Sequence, residues 1–298
     1  MTTAPSPLII PLSAGPENLI EGVSPDRVLK AVTRAELHVY PVENPLGRVL
    51  VCAGGGYLAL MLDREGDDVA RWLNDLGYEA HVLVHRLPGA AHSDGVWPKD
   101  IALTDALAAL NQIKGDLPLF LFGLSSGGHL AGAMACKPEV KAAGLLIAYA
   151  PLNANHVDHK APAGKPDYPP AQKQDFYNDW PIGLGVAPHG VPRCPIFLAY
   201  ALHDAVVPVE HALNIIKTAR DAGLDLDAHI FGTAPHGFAL REKDGTHAAW
   251  PELARQWLAA KSLAVGAGGH DWGRTHACVP VSRRCSADSE QSLTISTP

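Results

Sequence analysis

One serine in this chain lies midway between two glycines, at the junction of an apolar run and a helix-compatible segment. Ser125 has Gly123 and Gly127 on either side, follows the apolar run 117–122 and precedes the segment 129–135. This order predicts a strand, a tight turn and a helix, with the serine hydroxyl exposed above the sheet. The helix directs its unpaired N-terminal amides toward the same point, which favours an oxyanion there. Ser125 is therefore the predicted nucleophile.

Two simpler interpretations of the serine turn compete with this one. Ser126 is the alternative nucleophile, but its neighbours two residues away are Leu124 and Gly128, so it lacks the symmetric glycine pair. The pentapeptide also occurs by chance, because turns rich in glycine and serine are common. The predicted order of strand, turn and helix is the arrangement that the motif requires, and it favours Ser125.

Apolar runs bounded by turn residues recur along the chain and alternate with segments of helical period. Predicted strands cover 36–40, 48–52, 80–84, 119–122, 144–149, 196–200 and 226–231, and predicted helices cover 67–76, 99–113, 126–136, 209–222 and 247–258. Such alternation predicts the α/β class, a mostly parallel sheet with helices on both faces. The first strand, 36–40, alternates polar and apolar residues and is predicted to be an antiparallel edge strand.

Two segments break the alternation and define the domain organisation. Residues 152–193 are rich in proline, lysine, aspartate and aromatic residues, which predicts a small lid or pocket wall over the site. Residues 264–298 contain glycine, serine and threonine without apolar periodicity, so we expect an irregular C-terminal tail. The chain of 298 residues is long enough for one large core, and a single domain is predicted over 1–263.

The charge and hydropathy of the chain argue against nucleic acid and membrane partners. The net charge is −7, with charged residues scattered rather than clustered, so no basic surface for nucleic acid is expected. No apolar stretch reaches the roughly 18 residues of a membrane span. The segment 1–5 has no basic region of the kind that begins a secretory signal, and a cytoplasmic location is predicted.

Five cysteines form neither an even framework nor a Cys-x-x-Cys site. Cys52, Cys136 and Cys194 lie in or beside predicted elements and are expected to be reduced core thiols. Cys278 and Cys285 lie in the predicted tail, where they could pair with each other.

A serine hydroxyl needs a base within hydrogen-bond reach and a carboxylate to orient that base. In a sheet of this kind the chain order is serine, acid, histidine. Asp204 follows the predicted strand 196–200, in a loop at the carboxyl end of the sheet, and is the predicted acid. His236 lies in a loop with proline and glycine between the strand 226–231 and the last helix, and is the predicted base.

Other residues that compete for these two roles are His203, His211, His247 and Glu210. His203 adjoins the predicted acid and could be a loop hydrogen-bond partner. His211 and His247 fall at predicted helix beginnings, where surface histidines are common. Glu210 lies within a helical segment and is expected to face solvent. None of these residues lies in the loop directly after the final strand.

Three consecutive glycines, Gly54 to Gly56, follow the predicted strand 48–52 and present backbone amides without side chains. Such a loop can hold a phosphate or an oxyanion. No Gly-x-Gly-x-x-Gly spacing and no Lys-Ser or Lys-Thr ending supports nucleotide binding. The amides of Gly55 or Gly56, together with that of Ser126, are the predicted oxyanion hole.

The segment 156–159, His-Val-Asp-His, is the one short cluster of metal-ligand residues that stands out. It lies in a polar loop, with no cysteine and no His-Glu-x-x-His partner nearby, so its histidines are expected to be solvated. Neither a metal nor a cofactor is predicted.

Taken together, the motifs resemble those of the α/β-hydrolase carboxylesterases, most closely the bacterial acetyl-esterase and acetyl-xylan-esterase-like branch related to hormone-sensitive-lipase-type esterases. The matching segments are Ala53-Gly54-Gly55-Gly56-Tyr57, Gly123 to Ala131, the Asp204 loop and His236-Gly237-Phe238, within about residues 35 to 262. One departure is Ala53, where hormone-sensitive-lipase-type esterases have a histidine before the glycines.

The resemblance implies the α/β-hydrolase fold and hydrolysis of a short acyl ester through a Ser-His-Asp triad and an acyl-enzyme. A small-molecule or carbohydrate ester is the expected partner, and acetyl groups on a sugar are one candidate. Four aromatic residues are hypothesised to shape the substrate pocket: Tyr57, Phe176, Tyr177 and Trp180. A serine peptidase or amidase on the same fold, and a catalytically inactive hydrolase scaffold that binds a partner, are the alternatives.

Overall fold

The computed structural model describes residues 6–153, 166–167, 169–185 and 190–266. In these ranges the strands are β1 Leu8–Pro11, β2 Glu36–Tyr40, β3 Arg48–Cys52, β4 Glu79–Val84, β5 Ala91–His92, β6 Gly95–Val96, β7 Leu119–Leu124, β8 Gly144–Ala148, β9 Ile196–Ala201 and β10 Leu226–Phe231. The helices are α1 Asp68–Asp75, α2 Ile101–Gln112, α3 Ser126–Ala135, α4 Ala171–Asp179, α5 Glu210–Ala222 and α6 Trp250–Gly266. A π-helix, Leu62–Asp67, leads directly into α1, and a 3₁₀ turn, Thr246–Ala249, leads into α6.

Eight of the strands form one sheet in the order β1-β2-β4-β3-β7-β8-β9-β10, and β5 pairs with β6 in a separate hairpin. Within this order, each pair of neighbouring strands from β4 through β3, β7, β8 and β9 to β10 is parallel. Strand β2 is antiparallel to both of its neighbours, β1 and β4. The predicted α/β fold with a mostly parallel sheet is confirmed. Because parallel strands end at the same edge, the loops after β3, β7, β9 and β10 meet there.

The apolar runs of the central strands supply two cores, one on each face of the sheet. Side chains alternate along a strand, so Leu121 of β7 lies on one face while Phe120 and Phe122 lie on the other. The core around Leu121 is covered by α2, α3, α4 and α5. The opposite core contains Trp250 and Trp257 of α6 and apolar residues of α1. The predicted helices on both faces are therefore present.

The predicted position of the first strand was wrong in one respect. Glu36–Tyr40 is antiparallel, as expected, but it is not an edge strand, because β1 pairs with it and forms the edge. Its five residues are all buried, since it has a strand on either side. The strand β1 was not predicted, because a run of four residues is too short to show an alternation of polar and apolar residues. In the structure its residues are mostly exposed.

The predicted insertion and tail are only partly within the described residues. In the described part of 152–193, α4 packs into the core through Phe176 and Tyr177. Helix α6 ends at Gly266, three residues inside the predicted tail 264–298. Residues 156–159, Cys278 and Cys285 lie outside the described residues.

Candidate active site

Ser125 occupies a strained turn between β7 and α3. Its backbone has φ of 49° and ψ of −128°, a region that residues with a side chain rarely adopt. Its N–H donates to the carbonyl of Ala148, which ties the turn to the neighbouring strand at 2.9 Å. The flanking glycines are required sterically, because a β-carbon at Gly123 would lie 2.2 Å from the Gly127 carbonyl oxygen. The structure therefore has the strand, turn and helix that the pentapeptide predicted.

The three predicted triad residues are brought together by loops that follow three different strands. The distance from Ser125 Oγ to His236 Nε2 is 3.2 Å, and that from His236 Nδ1 to Asp204 Oδ2 is 2.7 Å. Since Asp204 as a carboxylate can only accept, His236 donates from Nδ1 and leaves Nε2 to accept the serine proton. His236 is half-buried, whereas the Asp204 side chain has no exposed surface.

Asp204 is held as a carboxylate by three hydrogen bonds. Its Oδ1 accepts from the amides of Val206 and Val207 at 2.8 and 2.9 Å, and its Oδ2 faces His236. Burial acts to raise the pKa of Asp204, but the hydrogen bonds from His236 and the two amides outweigh it and hold the pKa below its usual range. The Asp204 carboxyl group is therefore ionised at neutral pH.

The competing residues lie apart from this hydrogen-bonded chain. Glu210 is exposed at the start of α5, as expected, and His203 is exposed in the Asp204 loop. The expectation that His211 and His247 are surface histidines was wrong. His211 is fully buried and bonds to Asn153, and His247 is buried against Phe238, because both helix beginnings face the core.

The predicted oxyanion loop lies beside the serine turn. Gly55 has φ of 137°, and a β-carbon there would lie 2.1 Å from the Ala59 carbonyl oxygen, so only glycine fits. The Gly55 N–H meets no acceptor among the described residues. The N–H of Ser126, the first residue of α3, has no acceptor within its helix. Gly56 differs from the prediction, since its N–H already donates to Ser126 Oγ at 2.9 Å.

The four aromatic residues predicted to shape the pocket lie close together around His129 of α3. Tyr57, Phe176 and Tyr177 are 1%, 1% and 3% exposed and pack against one another, whereas Trp180 is half-buried. His129 Nε2 donates to the Trp180 carbonyl at 2.7 Å, so His129 Nδ1 accepts from the Tyr57 hydroxyl at 2.9 Å. Burial lowers the pKa of His129 to about 4, so the ring is neutral. These residues form a packed cluster rather than an open surface.

A residue that sequence reasoning missed, Glu65, lies behind the loop. It belongs to the π-helix and is 4% exposed. Its Oε2 accepts from the Gly54 N–H at 2.7 Å, and its Oε1 accepts from the Tyr149 hydroxyl at 3.1 Å. No sequence signal marked this position, because the segment Leu62–Asp67 matches neither a motif nor an apolar period.

The described part of the chain contains no group of three histidine, cysteine, aspartate or glutamate residues arranged to hold a metal ion. Cys52, Cys136 and Cys194 are free thiols, of which Cys52 is buried and the other two are half-buried. Burial raises the pKa of Cys52 to about 12, so this thiol is not a nucleophile at neutral pH. Within the same ranges, every helix falls short of the length and apolar character that a membrane span requires.

Comparison with known proteins gives one partial family match and several similar structures. The model of the dienelactone hydrolase family matches residues 189–263, the segment that contains Asp204 and His236. No curated protein matches the chain. An acetyl ester-xyloside bifunctional hydrolase from Caldicellulosiruptor lactoaceticus has a TM-score of 0.61 at 22% identity, covering 87% of this chain and 98% of that one.

Two further similar structures are esterases. A carboxylesterase from Lactobacillus plantarum has a TM-score of 0.58 at 21% identity, with 82% of this chain and 98% of that chain covered. A thermophilic esterase from Thermogutta terrifontis has a TM-score of 0.58 at 18% identity, covering 76% and 88%. The sheet order, the serine turn and the similarity to these structures all indicate the same fold. The chain therefore has the α/β-hydrolase fold, as the resemblance of its motifs implied.

Proposed function

We propose that this chain is a serine esterase that hydrolyses short-chain acyl esters through Ser125, His236 and Asp204. The observation that carries the proposal is the continuous hydrogen-bonded path from the serine hydroxyl, through both imidazole nitrogens, to a buried carboxylate, at 3.2 and 2.7 Å. A serine is activated by such an arrangement because its proton has an acceptor and the resulting imidazolium has a counter-charge. The strained backbone of Ser125 holds its hydroxyl toward that acceptor.

The reaction follows from these three side chains. His236 Nε2 takes the hydroxyl proton while Ser125 Oγ attacks the ester carbonyl carbon, and the carbonyl electron pair moves onto oxygen. The imidazolium then gives its proton to the alcohol oxygen as the carbon–oxygen bond breaks, which leaves an acyl-serine. Water, deprotonated by His236, attacks this acyl group and releases the acid. Asp204 orients the imidazole and stabilises its cation in both halves.

The amides of Gly55 and Ser126 are the proposed donors to the tetrahedral oxyanion. Both N–H groups lack an acceptor in the part of the chain that the structure describes, and Ser126 begins the helix whose positive end faces the turn. The Gly56 amide, which donates to Ser126 Oγ, fixes the loop in this position. Removing one oxyanion donor costs about 3 kcal/mol in the barrier, a hundredfold or more in rate.

The substrate class is proposed from the family resemblance and the similar structures. One of those structures is of an acetyl ester-xyloside hydrolase and another is of a carboxylesterase. We propose for this chain a small-molecule ester with a short acyl group, and acetyl groups on a carbohydrate are the first candidate. The packed cluster of Tyr57, Phe176, Tyr177 and Trp180 supports the loop beside the nucleophile.

Hydrolysis of p-nitrophenyl acetate by the wild type and Ser125→Ala tests the reaction. We expect turnover by the wild type and none by the variant, and turnover retained by a folded Ser125→Ala would refute the assignment. A fluorophosphonate probe should label the wild type at Ser125, and failure to label would favour an inactive binding scaffold.

A substrate panel tests the bond and the acyl group. Esters from acetyl to octanoyl and acetylated xylan should be compared with aminoacyl amides of the same leaving group. We expect the acetyl and propionyl esters to have the highest kcat/KM. Faster cleavage of the amides than of the esters would favour a peptidase or amidase instead.

A further inference from the structure

Glu65 is a buried carboxyl group that the proposed reaction does not use. In the part of the chain that the structure describes, its side chain accepts hydrogen bonds from neutral donors alone, the Gly54 amide at 2.7 Å and the Tyr149 hydroxyl at 3.1 Å. Among the described residues it makes no ion pair, and the adjacent Arg64 pairs with Glu242 instead. Burial raises the pKa of Glu65, against the opposing effect of these two hydrogen bonds. A buried carboxyl without a cationic partner is costly, so packing alone does not account for it.

The backbone of Gly54 is enclosed between Glu65 and the nucleophile. A β-carbon at residue 54 would lie 2.5 Å from Glu65 Oε2 and 2.6 Å from Ser125 Cβ. The glycine loop therefore passes through a gap bounded by the carboxyl group on one side and the serine on the other. A small rotation of the Gly54 peptide would redirect the next amide, that of Gly55.

The loop is held at two points, one on each side of Gly55. Glu65 binds the preceding amide, Gly54, and Ser126 Oγ binds the following amide, Gly56. The amide between these two points, that of Gly55, has no acceptor in the described ranges. Hydrogen-bond donors stabilise a transition state best when their direction is fixed before the reaction.

The other oxygen of Glu65 faces the histidine loop. Tyr149 has φ of 39° and donates its hydroxyl to Glu65, and its ring packs against the His236 imidazole with centroids 5.2 Å apart. A β-carbon at Gly237 would be 3.9 Å from Glu65 Oε1. One carboxyl group thus contacts the oxyanion loop and the tyrosine against which the base packs.

We propose that Glu65 is a positioning residue that fixes the direction of the Gly55 amide by accepting the Gly54 N–H and the Tyr149 hydroxyl. This inference rests on the proposed esterase function, because an oriented amide matters only if an oxyanion forms beside Ser125. Glu65 itself touches no reacting atom. Its contribution is the placement of the donor, and a misplacement of about 1 Å at such a site costs roughly a hundredfold in rate.

Two substitutions of Glu65 separate positioning from simple packing. Glu65→Met preserves the approximate length of the side chain but cannot accept from Gly54. Glu65→Gln retains an acceptor for Gly54 in its amide oxygen and a donor for the Tyr149 hydroxyl in its amide nitrogen. For p-nitrophenyl acetate we expect kcat to fall about a hundredfold in Glu65→Met with KM nearly unchanged, and about threefold or less in Glu65→Gln.

Benzeneboronic acid supplies a readout that a merely structural role would not change. It forms a tetrahedral adduct with a reactive serine and places an oxygen in the oxyanion hole. Its inhibition constant should rise in Glu65→Met by about the factor by which kcat/KM falls. The matched control is Asp63→Asn on the same π-helix, which weakens the Arg27 ion pair and should lower Tm while leaving kcat per active site unchanged. Active sites are counted by fluorophosphonate labelling.

The outcomes distinguish this inference from the proposed function. If the wild type hydrolyses esters and Ser125→Ala does not, but Glu65→Met retains wild-type kcat, the positioning role is refuted and the esterase stands. Equal losses in Glu65→Met and Glu65→Gln would also refute positioning by hydrogen bonds. If no ester is cleaved by the wild type, the esterase proposal itself fails. Should Glu65→Met not fold, Glu65→Asp withdraws the carboxyl from Gly54 by one methylene, and unchanged kcat in that variant refutes the role.

Discussion

Gly127 of α3 lies in direct backbone contact with Cys52, the last residue of β3. A β-carbon on Gly127 would come within 2.0 Å of the Cys52 carbonyl oxygen and 2.7 Å of that of Ala53. The second glycine of the serine turn is therefore needed for the approach of the helix to the neighbouring strand. Because the glycine loop Gly54 to Gly56 follows directly after Cys52 and Ala53, this contact also sets the distance between that loop and Ser125.

Gly127→Ala should destabilise the protein and reduce activity together. The added methyl group must displace backbone, which is far less adaptable than a side chain, so a loss of about 3 kcal/mol in the free energy of unfolding is expected. Urea denaturation of the variant would measure it. Gly232→Ala is the matched control, because a β-carbon there meets nothing within 4 Å, and it should change stability by less than about 0.5 kcal/mol. Equal stability of the two variants would contradict the contact.

Ser126→Ala should leave the nucleophile intact and weaken the oxyanion loop. The substitution removes the acceptor of the Gly56 N–H but keeps the Ser126 amide. A hydrogen bond of this kind contributes about 1 kcal/mol, so kcat/KM for p-nitrophenyl acetate should fall roughly fivefold. Fluorophosphonate labelling should still reach completion. Loss of labelling in this variant, with labelling retained in Ser125→Ala, would make Ser126 the nucleophile.

Asp204→Asn should abolish most activity and remove a pH-dependent part of the stability. The amide side chain can still accept from Val206 and Val207, but it presents a donor group or an uncharged oxygen to His236, so kcat should fall about a thousandfold or more. The pKa of Asp204 is lowered in the folded protein, so its carboxylate stabilises the fold above the unfolded pKa of about 4, and this contribution is lost as the pH falls through the folded pKa.

Thermal unfolding between pH 2 and pH 8 checks the second part of this prediction. The difference in Tm between the wild type and Asp204→Asn should be largest and constant near neutral pH and should shrink in the acid range. Asp221→Asn, at an exposed side chain, is the control and should change Tm little at any pH. A difference for Asp204→Asn that grows on acidification would contradict the lowered pKa.

Arg27→Ala should destabilise the π-helix that contains Glu65. Arg27 binds Asp63 and Asp67 at 2.6 Å each, and the Asp63 side chain is only 3% exposed. Removing the guanidinium leaves buried carboxylates without a counter-charge, which costs roughly 3 kcal/mol in the free energy of unfolding.

The control for this ion pair is Arg255→Ala in α6. Arg255 pairs with Glu252 at 2.5 Å, but both side chains are about half exposed and screened by solvent, so the loss should be much smaller than in Arg27→Ala. Urea denaturation of the two variants gives the comparison. Similar losses would show that burial of Asp63 does not strengthen its pair.

The strands, and the positions of Ser125, Asp204 and His236 after strand ends, were predictable because their signals are local. Runs such as 119–122 and 196–200 are apolar at every position, which identifies strands buried on both faces. Ser125, Asp204 and His236 each follow a predicted strand, and the parallel arrangement places those strand ends at one edge. Their chain order then indicates the role of each.

The features that sequence patterns missed depend on contacts between residues that lie far apart in the sequence. Glu65 lies in a π-helix whose sequence, LDREGD, has no apolar period, and its partner Tyr149 is 84 residues away. The bond from Gly56 to Ser126 spans 70 residues. The burial of Phe176 and Tyr177 likewise depends on Tyr57 and His129, which no local pattern connects to them. Contacts of this kind are set by packing rather than by any short motif.

The ion pairs around the π-helix link parts of the chain that are synthesised at very different times. Arg241, five residues after His236, binds Asp26 across 215 residues, and Ser125 contacts His236 across 111 residues. During translation, the serine turn therefore leaves the ribosome long before His236 is synthesised. A nascent chain that ends before β10 lacks His236, so under the proposed function it has no group to accept the Ser125 proton and cleaves no ester.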